Sequence, residues 1–416
     1  MVYAEFGKYR RAKSCRRHLN LYTWLKSHLW CSFHTGIRRI TLHMLIGQVE
    51  EITIVLASGE VVTCSLDKDP DLFKAALVSL GTLGVIIRLT MRASKHYNIK
   101  HTTVIISLSR FLAEYDETWK SAAYVRAWWW PYSRQVVVWR GDRTSEPPTP
   151  PGITSSTLLK PFTALSSSLQ LGRRIHEGSL YALIRAPSLL PRFERILFKT
   201  QFPQKENEIT EPEVAHPHKA LQLDCLFSQY VDEWSVPLSS GPEAITRLDN
   251  FITSGDLSKT TGIPIPTTSS TDGQIYVHAP IEIRVSSGQG DHAFLSPARE
   301  GNPVVWIGVI MYRPYYHPTT YRKYFAAYEE LMRMLGGKPH WAKQHRMNAE
   351  EEKKTWGEGM ERWLSVRKRV DPDGVFVNGF VKRHLLGLLE NGRDRRGVGV
   401  LDGESGRLYK RFKAVL

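Results

Sequence analysis

Gly336-Gly337-Lys338-Pro339-His340-Trp341-Ala342-Lys343 is the stretch on which the reading of this chain turns. Tyr321, Tyr324, Phe325, Tyr328, Leu331, Met332 and Leu335 precede it at helical spacing, which predicts a helix that Gly336 closes as a C-cap. The two glycines and Pro339 fix a specific backbone path, and Trp341 anchors it. His340 and Lys343 are three residues apart, so they share a face if the segment is helical. An isolated lysine reads as a surface residue, but one on so constrained a turn is also suited to binding a substrate hydroxyl.

Upstream, Ile281-Glu282-Ile283-Arg284-Val285 alternates strictly, so Ile281, Ile283 and Val285 face one way while Glu282 and Arg284 face the other. Two readings stand for that charged pair. One is a cross-strand ion pair on a solvated sheet face. The other is a cavity wall that binds a polyhydroxy substrate. There the always-charged guanidinium, with its fixed fork of donors, steadies negative charge developing on a substrate oxygen.

A length of 416 residues leaves room for two or three domains with real cores. The net charge of +15 is concentrated: residues 1–40 hold nine Lys/Arg against one Glu. The rest of the chain shows no basic patch with stacking aromatics on a known module, so nucleic acid is not expected as a partner. No apolar run of about 18 residues occurs, so no transmembrane helix is predicted. Cys15, Cys31, Cys64 and Cys225 have neither CxxC nor metal-ligand spacing and read as the reduced thiols of an intracellular protein. His216 and His218 look like a metal pair but lack a third partner nearby and read as loop residues.

Residues 1–44 read as an atypical basic leader, non-native or disordered, without the apolar core of a secretory signal. From Val49 the chain becomes orderly. Residues 51–56 and 60–64 flank Ala57-Ser58-Gly59 as a hairpin. A helix starts at Asp69-Pro70 and is ended by Gly81-Thr82-Leu83-Gly84, and Val85 to Thr90 reads as a buried strand. Residues 124–130 and 135–139 make two strands around Pro131-Tyr132-Ser133. Residues 143–170 and 258–272 are Pro/Ser/Thr-rich loops. Between them lie weak helical pattern at 180–200, polar loop at 203–219, a strand at 224–230 and a helix near 241–254. Val304 to Met311 reads as a central strand, and a helix carrying Trp356, Met360, Trp363 and Leu364 stops at Asp371-Pro372. Residues 389–416 read as a disordered tail.

In this order the pieces resemble the FAD-linked sugar-1,4-lactone oxidases, the family of the fungal D-arabinono-1,4-lactone oxidases. The hairpin and Asp71 to Ile86 resemble the end of that family's FAD domain, and Val125 to Tyr132 the entry to its substrate domain. Glu282-Ile283-Arg284, Leu295-Ser296-Pro297-Ala298, His340-Trp341-Ala342-Lys343 and Asp371 to Asn378 follow in place. The resemblance covers roughly residues 45–388. It implies an α+β chain: the C-terminal part of a vanillyl-alcohol-oxidase-type, two-domain FAD-binding fold. A remnant of the FAD domain would span 45–105 and an antiparallel-sheet substrate (cap) domain 106–345, with C-terminal helices at 346–388 returning to the FAD site.

The activity implied is oxidation of an aldono-1,4-lactone to an ascorbate-like enediol lactone, with oxygen reduced to hydrogen peroxide. By resemblance Glu282, Arg284 and Lys343 are catalytic. Gly81, Gly84, Val85, Ile86, His340 and Asn378 would contact FAD, though Gly81 and Gly84 are equally explained as a helix C-cap. Peripheral association with the mitochondrial membrane, or a cytoplasmic location, also follows only from the resemblance. The family's Gly-x-Gly-His-Ser loop, whose backbone N–H groups would carry the FAD pyrophosphate, is not found in this sequence. The alternative to an active oxidase is therefore a non-catalytic fragment lacking that loop.

Overall fold

The computed structural model describes residues 2–3, 45–150, 171–221, 226–254, 275–278 and 280–388. The expectations for 4–44, 151–170, 258–272 and 389–416, and for Cys15, Cys31 and Cys225, lie outside the described residues. The fold is α+β, built on two antiparallel sheets.

The smaller sheet contains β1 (Val2–Tyr3), β2 (Val49–Val55), β3 (Val61–Ser65) and β4 (Val85–Met91) in the order β1-β4-β2-β3. Alternation along β2 buries Ile52 and Ile54. Helix α1 (Pro70–Ala76) starts at Asp69, whose carboxylate accepts the Leu72 N–H. It ends at Ala76 rather than at Gly81, and the left-handed Leu80 and Gly81 then turn the chain. Gly84 is required: a Cβ there would lie 2.3 Å from the Val55 carbonyl oxygen. Strand β4 is not buried as the sequence suggested. Val85 and Ile87 are about half exposed (51% and 53%), because that side of the sheet is open among the described residues.

The larger sheet has the order β12-β9-β11-β10-β6-β7-β5-β8. Its strands are β5 (Asn98–Ser107), β6 (Tyr124–Trp130), β7 (Gln135–Thr144), β8 (Glu213–Ala215), β9 (Gln229–Pro237), β10 (Ile281–Ser286), β11 (Val304–Tyr312) and β12 (Lys338–Pro339). Because β5 pairs along its whole length with β7, from Asn98 opposite Thr144 to Ser107 opposite Gln135, the sheet begins at Asn98 and not after residue 105. The strand read at 224–230 runs instead from Gln229 to Pro237, since the acidic Asp232-Glu233 at its centre are both accommodated in the interior.

One face of this sheet carries Val125, Ala127, Trp129, Trp234, Val236, Ile281, Ile283, Val285, Val305, Ile307 and Val309. Residues of α2 (Leu108–Ala113), α3 (Tyr115–Lys120), α7 (Gly241–Ser254) and α8 (Arg322–Met334) share that core. The weak pattern around 180–200 resolves into α4 (Leu171–Leu183) and α5 (Leu190–Gln201), and the polar 203–219 segment holds β8 and the start of α6 (Pro217–Ala220).

Gly357 splits the next helical stretch into α9 (Ala349–Trp356) and α10 (Glu358–Val370), and α11 (Gly379–His384) follows. Helix α10 packs on α1: Trp363 Nε1 donates to the Val78 carbonyl at 3.0 Å, and Arg362 and Arg369 pair with Asp71 and Asp69. The small-sheet unit is thus assembled from both ends of the described chain. One apolar cluster joins Leu83, Ile54 and the partly buried Ile86 to Trp306, Trp341, Trp363 and Val381, seating the small sheet against the large one.

Candidate active site

The other face of the large sheet carries a charged patch across β9, β11, β10 and β6. Cross-strand register sets Glu233, Gly308, Glu282 and Trp128 in one row, and Ser235, Trp306, Arg284 and Arg126 in the next. Arg284 reaches across β11 to Glu233, its Nε at 2.7 Å and one Nη at 2.5 Å from the same carboxylate oxygen. Arg126 Nε lies 3.3 Å from Glu282. Both pairs are withdrawn from solvent: the Arg284 and Glu233 side chains are 7% and 4% exposed, those of Arg126 and Glu282 12% and 16%. The ion-pair reading of Glu282 and Arg284 therefore holds, but with partners the sequence did not single out and on a buried surface. Burial, foremost, and the neighbouring Arg284 charge draw the Arg126 pKa down, while Glu282 and Glu233 oppose the shift.

Gly308 lies between the two carboxylates. A Cβ on it would be 3.8 Å from the side chains of both Glu233 and Glu282, an ordinary contact distance, so the buried glycine brings side-chain-free sheet backbone between them.

Local sequence explains how His340 arrives here. Helix α8 ends in a Schellman turn: the Gly337 N–H donates to the Met332 carbonyl and the Gly336 N–H to that of Arg333, with Gly336 at φ +71°. A Cβ on Gly337 would lie 2.6 Å from the Met332 carbonyl oxygen, so no other residue fits. The chain leaves as edge strand β12, and the His340 N–H donates to the Glu233 carbonyl. The His340 ring meets Trp306 edge-on at 5.3 Å, and Arg284 lies 6.0 Å from the Trp306 ring centre. His340 Nδ1 accepts the Ala342 N–H at 3.1 Å, which leaves the ring proton to Nε2. Trp341 is anchored as expected, donating to the Leu295 carbonyl and stacking on Trp356.

Glu282, Arg284 and His340 thus form one cluster with Glu233, Arg126 and Trp306. Lys343 is half-buried on a turn, not a helix, closed by its N–H on the His340 carbonyl, so the helical face-sharing with His340 does not apply. Its ammonium makes no ion pair with any described residue. The Gly81–Ile86 segment approaches the cluster only through the shared apolar core, where Ile86 and Trp306 both pack. Asn378 caps α11 by accepting the Val381 N–H and donates to the Leu80 carbonyl, which ties the C-terminal segment to that loop. A separate cleft of about 830 Å³, lined by Tyr115, Pro237, Pro303 and Lys338 among others, contains none of Glu282, Arg284 and Lys343.

Glu233, Arg126 and Gly308 were missed by reading the sequence. The signal for Arg126 was its alternation with Val125 and Ala127; for Glu233 the only hint was an acidic pair inside an otherwise β-rich run.

The profile of the D-arabinono-1,4-lactone oxidase family matches residues 89–384. A Neurospora crassa protein assigned to that activity is 36% identical over 370 residues, covering 85% of this chain and 65% of its own length. This chain therefore spans somewhat less than two thirds of that relative. The D-arabinono-1,4-lactone oxidase of Yarrowia lipolytica is 30% identical over 410 residues, covering 83% of this chain and 73% of its own length. Among solved structures, cholesterol oxidase from Brevibacterium sterolicum superposes with a TM-score of 0.58 at 15% identity, over 84% of this chain and 70% of that one, a likeness of fold alone.

Proposed function

Because this chain belongs to the D-arabinono-1,4-lactone oxidase family, we propose that it oxidises an aldono-1,4-lactone of the D-arabinono-1,4-lactone type to an ascorbate-like enediol lactone. A carbinol of the substrate loses two hydrogens, and oxygen takes them up as hydrogen peroxide. FAD, when bound, would supply hydride acceptance and reoxidation by oxygen. The similarity to the lactone oxidases favours this reading over a non-catalytic fragment.

The observation that carries the proposal is the side-chain-free Gly308 backbone set between two buried carboxylate–guanidinium pairs. A polyhydroxy ring laid there meets fixed acceptors on Glu282 and Glu233 and fixed donors on Arg284 and Arg126. Arg284 is rigid because Glu233 holds it, so it needs no reorganisation as negative charge grows on a substrate oxygen. A donor so placed contributes roughly 10²–10³ in rate. Glu282 accepts a substrate hydroxyl and sets the ring's orientation. Lys343 supplies a second positive charge toward the same oxygen; its support is the family motif and its place just beyond His340.

The ring end of FAD suits these residues as well. His340 with a proton on Nε2 offers a donor, and Val85 and Ile87 offer exposed apolar side chains on the small sheet. The pyrophosphate end has no counterpart among the described residues. In the Gly81 turn, the Gly81 and Thr82 N–H groups are both spent on Ser79. No role assigned above depends on that end.

The test is direct. The full chain incubated with FAD and freed of excess should be yellow, and should release one peroxide per D-arabinono-1,4-lactone consumed. Flavin-loaded protein that gives neither peroxide nor lactone-dependent bleaching overturns the proposal. By the same family reading the chain works peripherally at the mitochondrial membrane, and subcellular fractionation tests that. No helix among the described residues is long and apolar enough to cross a bilayer.

A further inference from the structure

Five residues beyond His340 the chain enters a second polar cluster, enclosed in the interior. His345 lies on the segment between β12 and α9, Glu352 on the first half of α9, and His384 at the end of α11. The side chains of His345 and Glu352 are wholly inaccessible, and His384 is 7% exposed. One ligand-capable atom from each lies within 4.8 Å of the other two.

We propose that His345, Glu352 and His384 form a buried site for one divalent transition-metal ion of the Zn²⁺ class.

Three observations carry it. First, both His345 ring nitrogens and Glu352 Oε1 are buried with no hydrogen-bond partner among the described residues. The nearest approach, His345 Nδ1 to Glu352 Oε1 at 3.4 Å, is a loose contact. Leaving such groups without partners is costly, and an ion between them removes the cost. Second, the other two ligands are oriented from behind. His384 Nδ1 is 2.7 Å from the Met347 carbonyl oxygen, which fixes the proton there and turns Nε2 inward. Glu352 Oε2 accepts Trp356 Nε1–H at 2.7 Å, which leaves Oε1 for an ion. Ligating histidines and carboxylates are commonly held by such outer contacts. Third, two imidazoles and a carboxylate make a donor set that suits Zn²⁺ and its neighbours and disfavours Mg²⁺ and Ca²⁺.

The surroundings agree for the two imidazoles, while burial pushes the Glu352 carboxyl up to about 8, so an ion entering there displaces its proton. Burial, with the positive charges of Arg333 and Arg383 nearby, keeps His345 neutral, and burial does the same for His384; neutral imidazole is the ligating form. Arg333, the cation most opposed to an ion here, is itself paired with Glu329 and Glu330. No fourth His, Cys, Asp or Glu joins the group among the described residues, so water or a backbone carbonyl completes a tetrahedron. The rival account is an aromatic cluster, since the His345 and His384 rings lie 4.5 Å apart with Phe380 beside both. The consequence of a metal would be structural: it would fasten the stretch after His340-Trp341-Ala342-Lys343 to α9 and α11.

The experiment uses the full-length protein, stripped with chelator and titrated with Co²⁺ and then Zn²⁺. One Co²⁺ per chain with the intense visible bands of a tetrahedral ion is expected, displaced by one Zn²⁺. Zn²⁺ at about 100 times its Kd should also raise Tm by several degrees. Glu352→Gln keeps the shape and the Trp356 contact and should weaken binding by at least about tenfold. His345→Gln should do the same, and Tm values in chelator will show that both variants fold. Failure of wild-type protein to bind either ion stoichiometrically overturns the proposal. So does binding that both variants retain but His218→Ala abolishes, which would assign it to the stacked surface pair His216 and His218.

Discussion

Asp232 and Glu233 are neighbours on β9, both almost completely buried, and they live in opposite electrostatic worlds. Glu233 points to the charged face, where Arg284 grips it at 2.5–2.7 Å. Asp232 points to the helix-covered face, toward Glu329 of α8. There burial, then the Glu329 charge and a hydrogen bond to it, push its pKa well above the carboxylate range. Burial raises the Glu329 pKa too, but Arg346 and Arg333, at 3.1 and 3.0 Å, and the hydrogen bond with Asp232 oppose that shift, so the pair's negative charge falls to Glu329. One residue of strand pleat thus separates a carboxylate paired with a guanidinium from one held protonated by a carboxylate. Burial alone does not identify a functional acid; the charge of the facing group does.

The sharpest way to break this contrast is Arg284→Met. It should lower kcat/KM for the lactone by about 10³ and, by stranding Glu233, destabilise the fold by roughly 3–5 kcal/mol. The double variant Arg284→Met/Glu233→Leu should recover most of the stability and none of the activity, as read by urea melts and peroxide release. Next is Glu282→Gln, which keeps shape but removes charge. Loss of one charged hydrogen bond predicts about a 10–100-fold fall in kcat/KM, and leaving Arg126 buried without its counter-charge should cost roughly 1–3 kcal/mol of stability. Gly308→Ala tests the side-chain-free backbone itself. Its Cβ meets only ordinary contacts, so Tm should hold or rise slightly while KM for the lactone rises about tenfold.

Asp232→Asn is the mildest and runs the other way. Below the ordinary Asp value of 3.8, folded and unfolded chains both hold the proton. As pH rises past it, the unfolded chain releases its proton and the native chain does not, so stability falls until the raised native pKa is reached. The asparagine variant should therefore be about 1–3 kcal/mol more stable than wild type at pH 7 and match it near pH 4. Denaturant melts at the two pH values would show it, and a variant less stable at pH 7 would contradict the protonated state of Asp232.

Periodicity in the chain was enough to reveal the β2–β3 hairpin, the β6–β7 pair, β11 and α8, because each is a local run of apolar residues at a regular interval. It also delivered Glu282 and Arg284 to one strand face. It could not deliver Glu233, which Arg284 meets across 51 residues of chain, because a cross-strand partner is set by sheet register and not by spacing. The mid-strand Asp232-Glu233 broke the β pattern and moved the predicted strand toward the N-terminus. The exposure of β4 was equally illegible, since Val85-Ile86-Ile87 has the composition of an interior strand whether or not a layer covers it. Gly308 sits in a run of eight apolar neighbours and carried no local mark of the two carboxylates it lies between.

The clasp between α1 and the C-terminal helices has a further consequence, for the order in which the molecule can be built. Asp69, Val78 and Leu80 wait for Arg369, Trp363 and Asn378, partners synthesised 285 to 300 residues later. The large sheet can close on the ribosome while the earlier hairpin remains without its cover. Closing so long a loop adds little to the equilibrium cost, which grows only with the logarithm of length, but it delays the last step until the C-terminal helices have been made. The nascent chain can therefore present a finished large sheet beside a small one still lacking its helical cover.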